Sequence, residues 1–174
     1  MRLAFVGRFQ PFHRGHMRVF EEFSDGHEVV VVVADAGERT RDDPLSAGQR
    51  VEVLESCLNT EVFVQEDHPE SDERWCRELL DATQADGVVT GNDWTRRAVQ
   101  ENSDAKVLEP EMHRRSLYSG TEIRTRIRSG DEWRYLVPDC ALESLESRGL
   151  VEKISGTAID YEFDPGWKPE HARN

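Results

Sequence analysis

A chain of 174 residues with a formal net charge of −13 is long enough for one domain with a substantial core. Its charge argues against non-specific binding to nucleic acid or to membranes, which are themselves anionic. Lys106, Lys153 and Lys168 are the only lysines; this acidic, lysine-poor balance is expected of a protein from a high-salt cytoplasm, where screening weakens self-repulsion.

Apolar runs alternate with helical patterns along the chain. Strands are expected at 2–6, 28–34, 61–65, 87–90 and 105–108, and helices at 15–24, 46–58, 72–83, 93–102, 120–129 and 138–147. The unbroken run from Val29 to Val33 lacks period-2 alternation, as a central parallel strand covered on both faces should. Such alternation predicts an α/β fold, a Rossmann-like parallel sheet of about five strands with helices on both faces and ligands at the carboxyl ends of the strands. Pro138 fits the first turn of a helix. One domain is expected over 1–155, followed by a loosely ordered tail over 156–174. Cys57, Cys76 and Cys140 are odd in number, widely spaced and free of any Cys-x-x-Cys pair. They suggest neither a metal pair nor a disulfide framework and fit a reduced cytoplasm. No stretch reads as a signal-peptide apolar region or a membrane-length span, so export and insertion are not expected.

The most informative segment follows the first strand: Gly7-Arg8-Phe9-Gln10-Pro11-Phe12-His13-Arg14-Gly15-His16. A strand, a turn and a helix start form an anion site, because unpaired backbone N–H groups and the positive helix end converge there. Two imidazoles three residues apart, with glycine between them, can point at one phosphate. A zinc pair is the rival reading, with Asp, Glu or His68 as further ligands. The glycine-rich dinucleotide fingerprint is absent, which disfavours a dehydrogenase.

His13-Arg14-Gly15-His16 resembles the signature of the nucleotidylyltransferase superfamily, and the longer string resembles its archaeal-type nicotinamide-nucleotide adenylyltransferases. Tyr118-Ser119-Gly120-Thr121-Glu122-Ile123-Arg124 is similar to that family's C-terminal phosphate motif, and Trp133-Arg134-Tyr135-Leu136-Val137-Pro138 follows it. Asp43-Pro44-Leu45-Ser46-Ala47-Gly48-Gln49-Arg50 and Gly91-Asn92 match in kind and order. The resemblance implies attack of a nucleotide's phosphate oxygen on the α-phosphorus of ATP, joining ATP and nicotinamide mononucleotide into NAD and pyrophosphate, with Mg2+ arriving on ATP. It implies His13, His16 and Arg124 as the groups acting on the ATP phosphates. Gly7, Arg8, Phe9, Gly15, Ser119, Gly120 and Thr121 would complete the ATP site, Gly7 and Phe9 through their backbones. Trp75 would stack on the nicotinamide ring and Asn92 would offer an amide donor and acceptor. Ser119 with Glu122 also satisfies a capping pattern, and Arg126 and Arg128 read as partners of nearby acids. The resemblance further suggests a homo-oligomer, with a hexamer as one form.

Two loops depart from the family pattern. Asp42 stands where an arginine is expected before Asp43-Pro44, leaving Arg39 or Arg41 to substitute, and 66–72 is more acidic than the pattern. These departures leave two alternatives open: an enzyme adenylylating another phosphate ester, such as a pantetheine phosphate, or a nucleotide-binding regulator without turnover.

Overall fold

The computed structural model describes residues 1–156, so the tail expected beyond the domain lies, from residue 157 onward, outside the described residues. Five parallel strands, β1 (Arg2–Gly7), β2 (Glu28–Asp35), β3 (Val62–Glu66), β4 (Gly87–Val89) and β5 (Lys106–Leu108), form one sheet in the order β3-β2-β1-β4-β5. Among the described residues seven helices surround it: α1 (Arg14–Ser24), α2 (Ala47–Cys57), α3 (Asp72–Thr83), α4 (Asp93–Asn102), α5 (Gly120–Ser129), α6 (Asp139–Ser147) and α7 (Leu150–Ser155).

The sheet's period of two divides the core. Leu3 and Phe5 of β1 and Val29, Val31 and Val33 of β2 join one cluster with Val19 of α1, Leu54 of α2, Ile123 of α5, Leu145 of α6 and Ile154 of α7. Ala4, Val6, Val30 and Val32 point the other way, onto Trp75 and Leu79 of α3 and Ala98 and Val99 of α4. Alternate residues thus serve two apolar layers, which is why the β2 run carries no polar position. The strand order reverses between β1 and β4, the place where open α/β sheets bind ligands.

The expected elements are present, with shifts at their ends. Ser46 and Pro138 stand as caps just outside α2 and α6. The Ser46 cap closes a reciprocal box with Gln49, whose Oε1 accepts from Ser46 N at 2.9 Å. The six-residue helix α7 and a short 3-10 turn at Arg134–Leu136 were not expected; both are too short to show a period. The expectation of no disulfide is overturned: Cys57, ending α2, is bonded to Cys140 in the first turn of α6. These residues are 83 apart in sequence and meet only because α2 and α6 pack together, so spacing carried no sign of the bond. Cys76 is buried in the second cluster as a free thiol.

One side chain ties the strand ends together. Arg50 of α2, 1% exposed, donates to Arg8 O at 2.9 Å, Ala34 O at 2.8 Å and Asp35 Oδ1 at 2.9 Å. The turn after β1 and the end of β2 are therefore fixed by the same guanidinium. Arg50→Ala leaves two carbonyls and the Asp35 carboxylate without that donor, and removing one partner of a buried pair costs about 3–5 kcal/mol. Guanidinium chloride unfolding should register a loss of that order; a loss below about 1 kcal/mol, the range of exposed pairs, would show that the turn does not depend on Arg50.

Candidate active site

A cavity of about 690 Å³ opens at the carboxyl ends of β1 and β4. Gly7 and Arg8, His13, Gly15 and His16, Trp75, Asn92, and Ser119, Gly120 and Thr121 all line it, so ten of the residues singled out in the sequence meet around one cavity. Phe9 and Arg124 do not. The Phe9 ring is 2% exposed and packs against Phe5, Phe12 and His16. A Cβ on Gly7 would stand 2.9 Å from that ring, so glycine there admits Phe9 into the core.

His13 and His16 hold each other. His13 caps α1: His16 N donates to His13 Nδ1 at 3.3 Å, and His13 N donates to His16 Nδ1 at 3.1 Å. Their rings stack with centroids 3.6 Å apart. A ring nitrogen accepting a backbone N–H carries no proton, so in each neutral imidazole the proton sits on Nε2. Burial pushes the His13 pKa down to about 3 and holds His16 well below the usual imidazole range, with His13 adding to the effect. Each ring is thus a neutral donor through Nε2–H. A Cβ at Gly15 would come within 2.9 Å of His13 Cε1 and Nδ1, which explains the glycine between the imidazoles. His68 is turned away from this pair in its bonding, onto Glu78 at 2.5 Å. No group of three His, Cys, Asp or Glu placed to hold a metal occurs among the described residues.

Two helix starts face this cavity. Capping takes the third N–H of each, His16 N in α1 and Glu122 N in α5, the latter donating to Ser119 Oγ at 3.1 Å. The first two N–H groups, of Arg14 and Gly15 and of Gly120 and Thr121, have no partner within their helices. The reciprocal box expected at Ser119 does not close, because the Glu122 carboxylate accepts from Arg126 Nε at 2.9 Å instead.

Arg124 reaches the turn after β1 rather than the main cavity. Its Nη1 donates to Gln10 O at 2.8 Å, and its Nη2 lies 4.0 Å from Asp42. Burial lowers its pKa, opposed by Asp42 and Asp43. The guanidinium lines a smaller depression of about 190 Å³ with Arg41, Asp42 and Arg128, and Thr121 belongs to both walls. A Cβ on Gly120 would lie 2.8 Å from Arg124 Nη1 and 2.9 Å from Gln10 O, so glycine lets the guanidinium reach that carbonyl. Of the two arginines offered as replacements before Asp43, Arg41 lies on this wall, whereas Arg39 is folded within 4.0 Å of Asp35. Arg126 pairs with Glu122 as expected. Arg128 instead donates to the carbonyls of Ile154 and Arg41.

At the other end of the cavity, Trp75 is 1% exposed and meets Trp94 edge to face, with centroids 5.0 Å apart. Asn92 caps α4: its Oδ1 accepts from Thr95 N at 3.0 Å and from Thr95 Oγ1 at 3.3 Å. That acceptor is already used, so the amide remains chiefly a donor. Arg8 is held by Asp67 of the acidic loop at 2.8 Å. The sequence reading missed Trp94, Arg18, His113 and Arg115, which also line the cavity. A basic or aromatic residue in a helix or a loop carries no sequence mark that separates it from an ordinary surface residue.

The two neutral rings tie stability to pH. Above about pH 6.5 neither the folded nor the unfolded chain protonates them. Below it the unfolded chain takes up protons that the folded rings refuse, so stability is lost as pH falls from about 6.5 toward the low folded values. The expected slope is about 1.4 kcal/mol per pH unit for each ring. Urea unfolding at pH 7 and pH 5.5 checks this, and equal stability at both would mean that the rings titrate normally.

A cytidylyltransferase-like family model matches residues 4–126. The chain is similar to the nicotinamide-nucleotide adenylyltransferase of Methanococcus vannielii, with 31% identity over 94% of this chain and 100% of that protein. It is 31% identical to the protein of the same name from Halobacterium salinarum, over 88% of this chain and 90% of the relative. Among solved structures, a bifunctional NMN adenylyltransferase/ADP ribose pyrophosphatase from Francisella tularensis, complexed with AMP and a manganese ion, superposes with a TM-score of 0.69 at 16% identity. That match covers 93% of this chain, which spans about half of the bifunctional protein (53%), and at this identity it speaks to the fold. With a family model over most of its length and a relative matched from end to end, this chain belongs to the cytidylyltransferase-like nucleotidyltransferases, among the archaeal nicotinamide-nucleotide adenylyltransferases.

Proposed function

We propose that this chain transfers the adenylyl group of ATP to nicotinamide mononucleotide, giving NAD and pyrophosphate. The observation that carries the reading is the pair of stacked imidazoles sharing one cavity wall with the start of α5. The end-to-end similarity to nicotinamide-nucleotide adenylyltransferases supports the choice of acceptor. A phosphate oxygen of the mononucleotide bonds to the α-phosphorus while the bond from that phosphorus to the β-bridging oxygen breaks, and pyrophosphate leaves with the electron pair. Such a transfer needs alignment and charge stabilisation more than covalent help.

His13 and His16 donate Nε2–H to the phosphates, joined by the free N–H groups that begin α1 and α5. Gly7, Arg8 and the Phe9 backbone bound the same end. Arg124, through the depression it shares with Thr121, stabilises the departing pyrophosphate. Asn92 offers its amide donor to the acceptor, whose end of the cavity is walled by Trp75 and Trp94. Magnesium fits as a passenger on ATP: the phosphate end is rich in donors, and the wall carboxylates are Glu111 and the Arg8-bound Asp67. When bound, it neutralises phosphate charge.

The enzyme is proposed to work in the cytoplasm, where both substrates are metabolites; no helix among the described residues is long and apolar enough to cross a membrane. The net charge of −13 supports a high-salt setting, and the family resemblance supports a homo-oligomer, with a hexamer as the form to test.

Purified protein with ATP, magnesium and nicotinamide mononucleotide should release pyrophosphate and form NAD. Turnover of a different phosphate ester alone would reassign the acceptor, and ATP binding without any turnover would favour a regulator. His16→Ala should lower turnover by roughly 100- to 1,000-fold, the range for removing one donor aimed at developing charge, with circular dichroism as the fold control. Near-normal turnover in that folded variant would remove the imidazole pair from the mechanism.

A further inference from the structure

We propose that Cys57 and Cys140 form a reversible redox site outside the cavity, through which thiol–disulfide exchange sets the stability of the fold. The bond joins the last residue of α2 to the second residue of α6, 83 positions away in sequence. Neither cysteine lines the cavity or the smaller depression beside Arg124, so the proposal holds whichever acceptor the cavity takes. The seam around the bond is held in its own right. Val53 and Leu54 of α2 and Ala141 and Leu145 of α6 belong to one buried cluster, and Cys57 packs against it. Ser56 Oγ donates to Ser144 Oγ at 3.4 Å, and Arg148 Nη1 donates to Glu52 Oε2 at 3.0 Å. Opening the bond therefore leaves the two helices packed and the two thiols side by side, ready to close again.

Cys57 and Cys140 are only partly buried, which leaves a small thiolate a route to their sulfurs. Cys76, the third thiol, is 1% exposed in the cluster on the other face of the sheet and does not compete for either partner in the folded chain. In the cytoplasm proposed for this enzyme, protein disulfides are rare and mostly transient, catalytic or redox-sensing. This pair touches no catalytic group and fits the sensing class. A dithiol supplies the two electrons: its thiolate attacks one cysteine sulfur, the S–S bond breaks to leave a mixed disulfide, and its second thiol closes on the first, releasing both cysteines as thiols. Glutathione disulfide drives the reverse exchange and leaves as two glutathione thiols. What the closed bond adds lies mainly in the unfolded chain, where it removes the freedom of a long loop.

The full chain treated with glutathione disulfide, the same protein reduced with dithiothreitol, and a Cys57→Ala, Cys140→Ala double variant test this. Unfolded in guanidinium chloride after desalting, the oxidised protein should titrate one thiol, that of Cys76, and the reduced protein all three. Its intact mass should show no added glutathione. Dithiothreitol should lower the wild-type melting temperature by roughly 5–15 °C, the effect of a typical disulfide in a domain of this size. It should leave the far-ultraviolet circular dichroism at room temperature unchanged, and the melting temperature of the double variant unmoved. Three thiols after glutathione disulfide, a melting temperature indifferent to reduction, loss of the folded signal on reduction, or an equal drop in the double variant would each overturn the proposal. Should the double variant fail to fold, the wild-type thiol counts and melting temperatures decide it alone.

Discussion

Two buried guanidinium groups decide where the turn after β1 can go. A turn taken into the interior must find donors for its carbonyls, and here they come from two different helices. Arg50 of α2 takes Arg8 O and Arg124 of α5 takes Gln10 O. The Gln10 side chain then exchanges hydrogen bonds with the backbone of Leu45, at 2.8 and 3.0 Å. A segment of three residues is thereby bound to α2, to the loop before it and to α5. His13 caps α1 only three residues later, so its position follows from these bonds. Lysine could not replace Arg50, because a single ammonium does not offer the planar fork that reaches two carbonyls and a carboxylate together.

An acidic protein that handles a triphosphate faces a conflict of charge. At long range a net charge of −13 repels the substrate, but screening confines that effect to about 10 Å at moderate salt and less at high salt. Within that distance the local groups decide. Asp35 is bonded to Arg50, Asp43 accepts from Gln10, and Asp67 is paired with Arg8, so these three carboxylates are already bonded. The imidazoles contribute donors without adding buried charge, which would be costly in a site packed against Phe5, Phe9 and Phe12. Free N–H groups at two helix starts add partial positive charge in fixed directions.

Strands and long helices were legible in the sequence because each announces itself locally. Val29–Val33 is an apolar run, and the helical patterns expected at 72–83 and 93–102 coincide with α3 and α4. The imidazole pair was legible for the same reason: its bonds run between residues three apart. Long-range features were not. The motif located Arg124 but not its bond to Gln10, 114 residues away, nor the reason Gly120 must lack a Cβ. The Cys57–Cys140 bond and the burial of Phe9 likewise depend on packing between distant segments. Asn92 is a middle case: its cap on Thr95 follows from its place before α4, yet the amide reads equally as a ligand contact until the helix start is known.

The two halves of the cavity are built differently, which bears on the acidic 66–72 loop. The end proposed to take phosphate is made of backbone and imidazoles pinned by buried bonds, so a change there disturbs the interior. The end proposed for the acceptor draws on the 66–71 loop and on the first turns of α3 and α4, and its polar residues bond to α3 and to the turn after β1. Asp67 holds Arg8, His68 bonds to Glu78, and Ser71 caps α3. The acidic character of this loop thus serves pairings with Arg8, His68 and Arg74. Arg8 is about half exposed in its pair with Asp67, and an ion pair of that kind contributes only about 0–1 kcal/mol. A phosphate entering beside Arg8 has little to displace, because the carboxylate that holds the guanidinium in the free protein binds it weakly. Asp67 thus keeps Arg8 on the cavity wall without competing strongly for it.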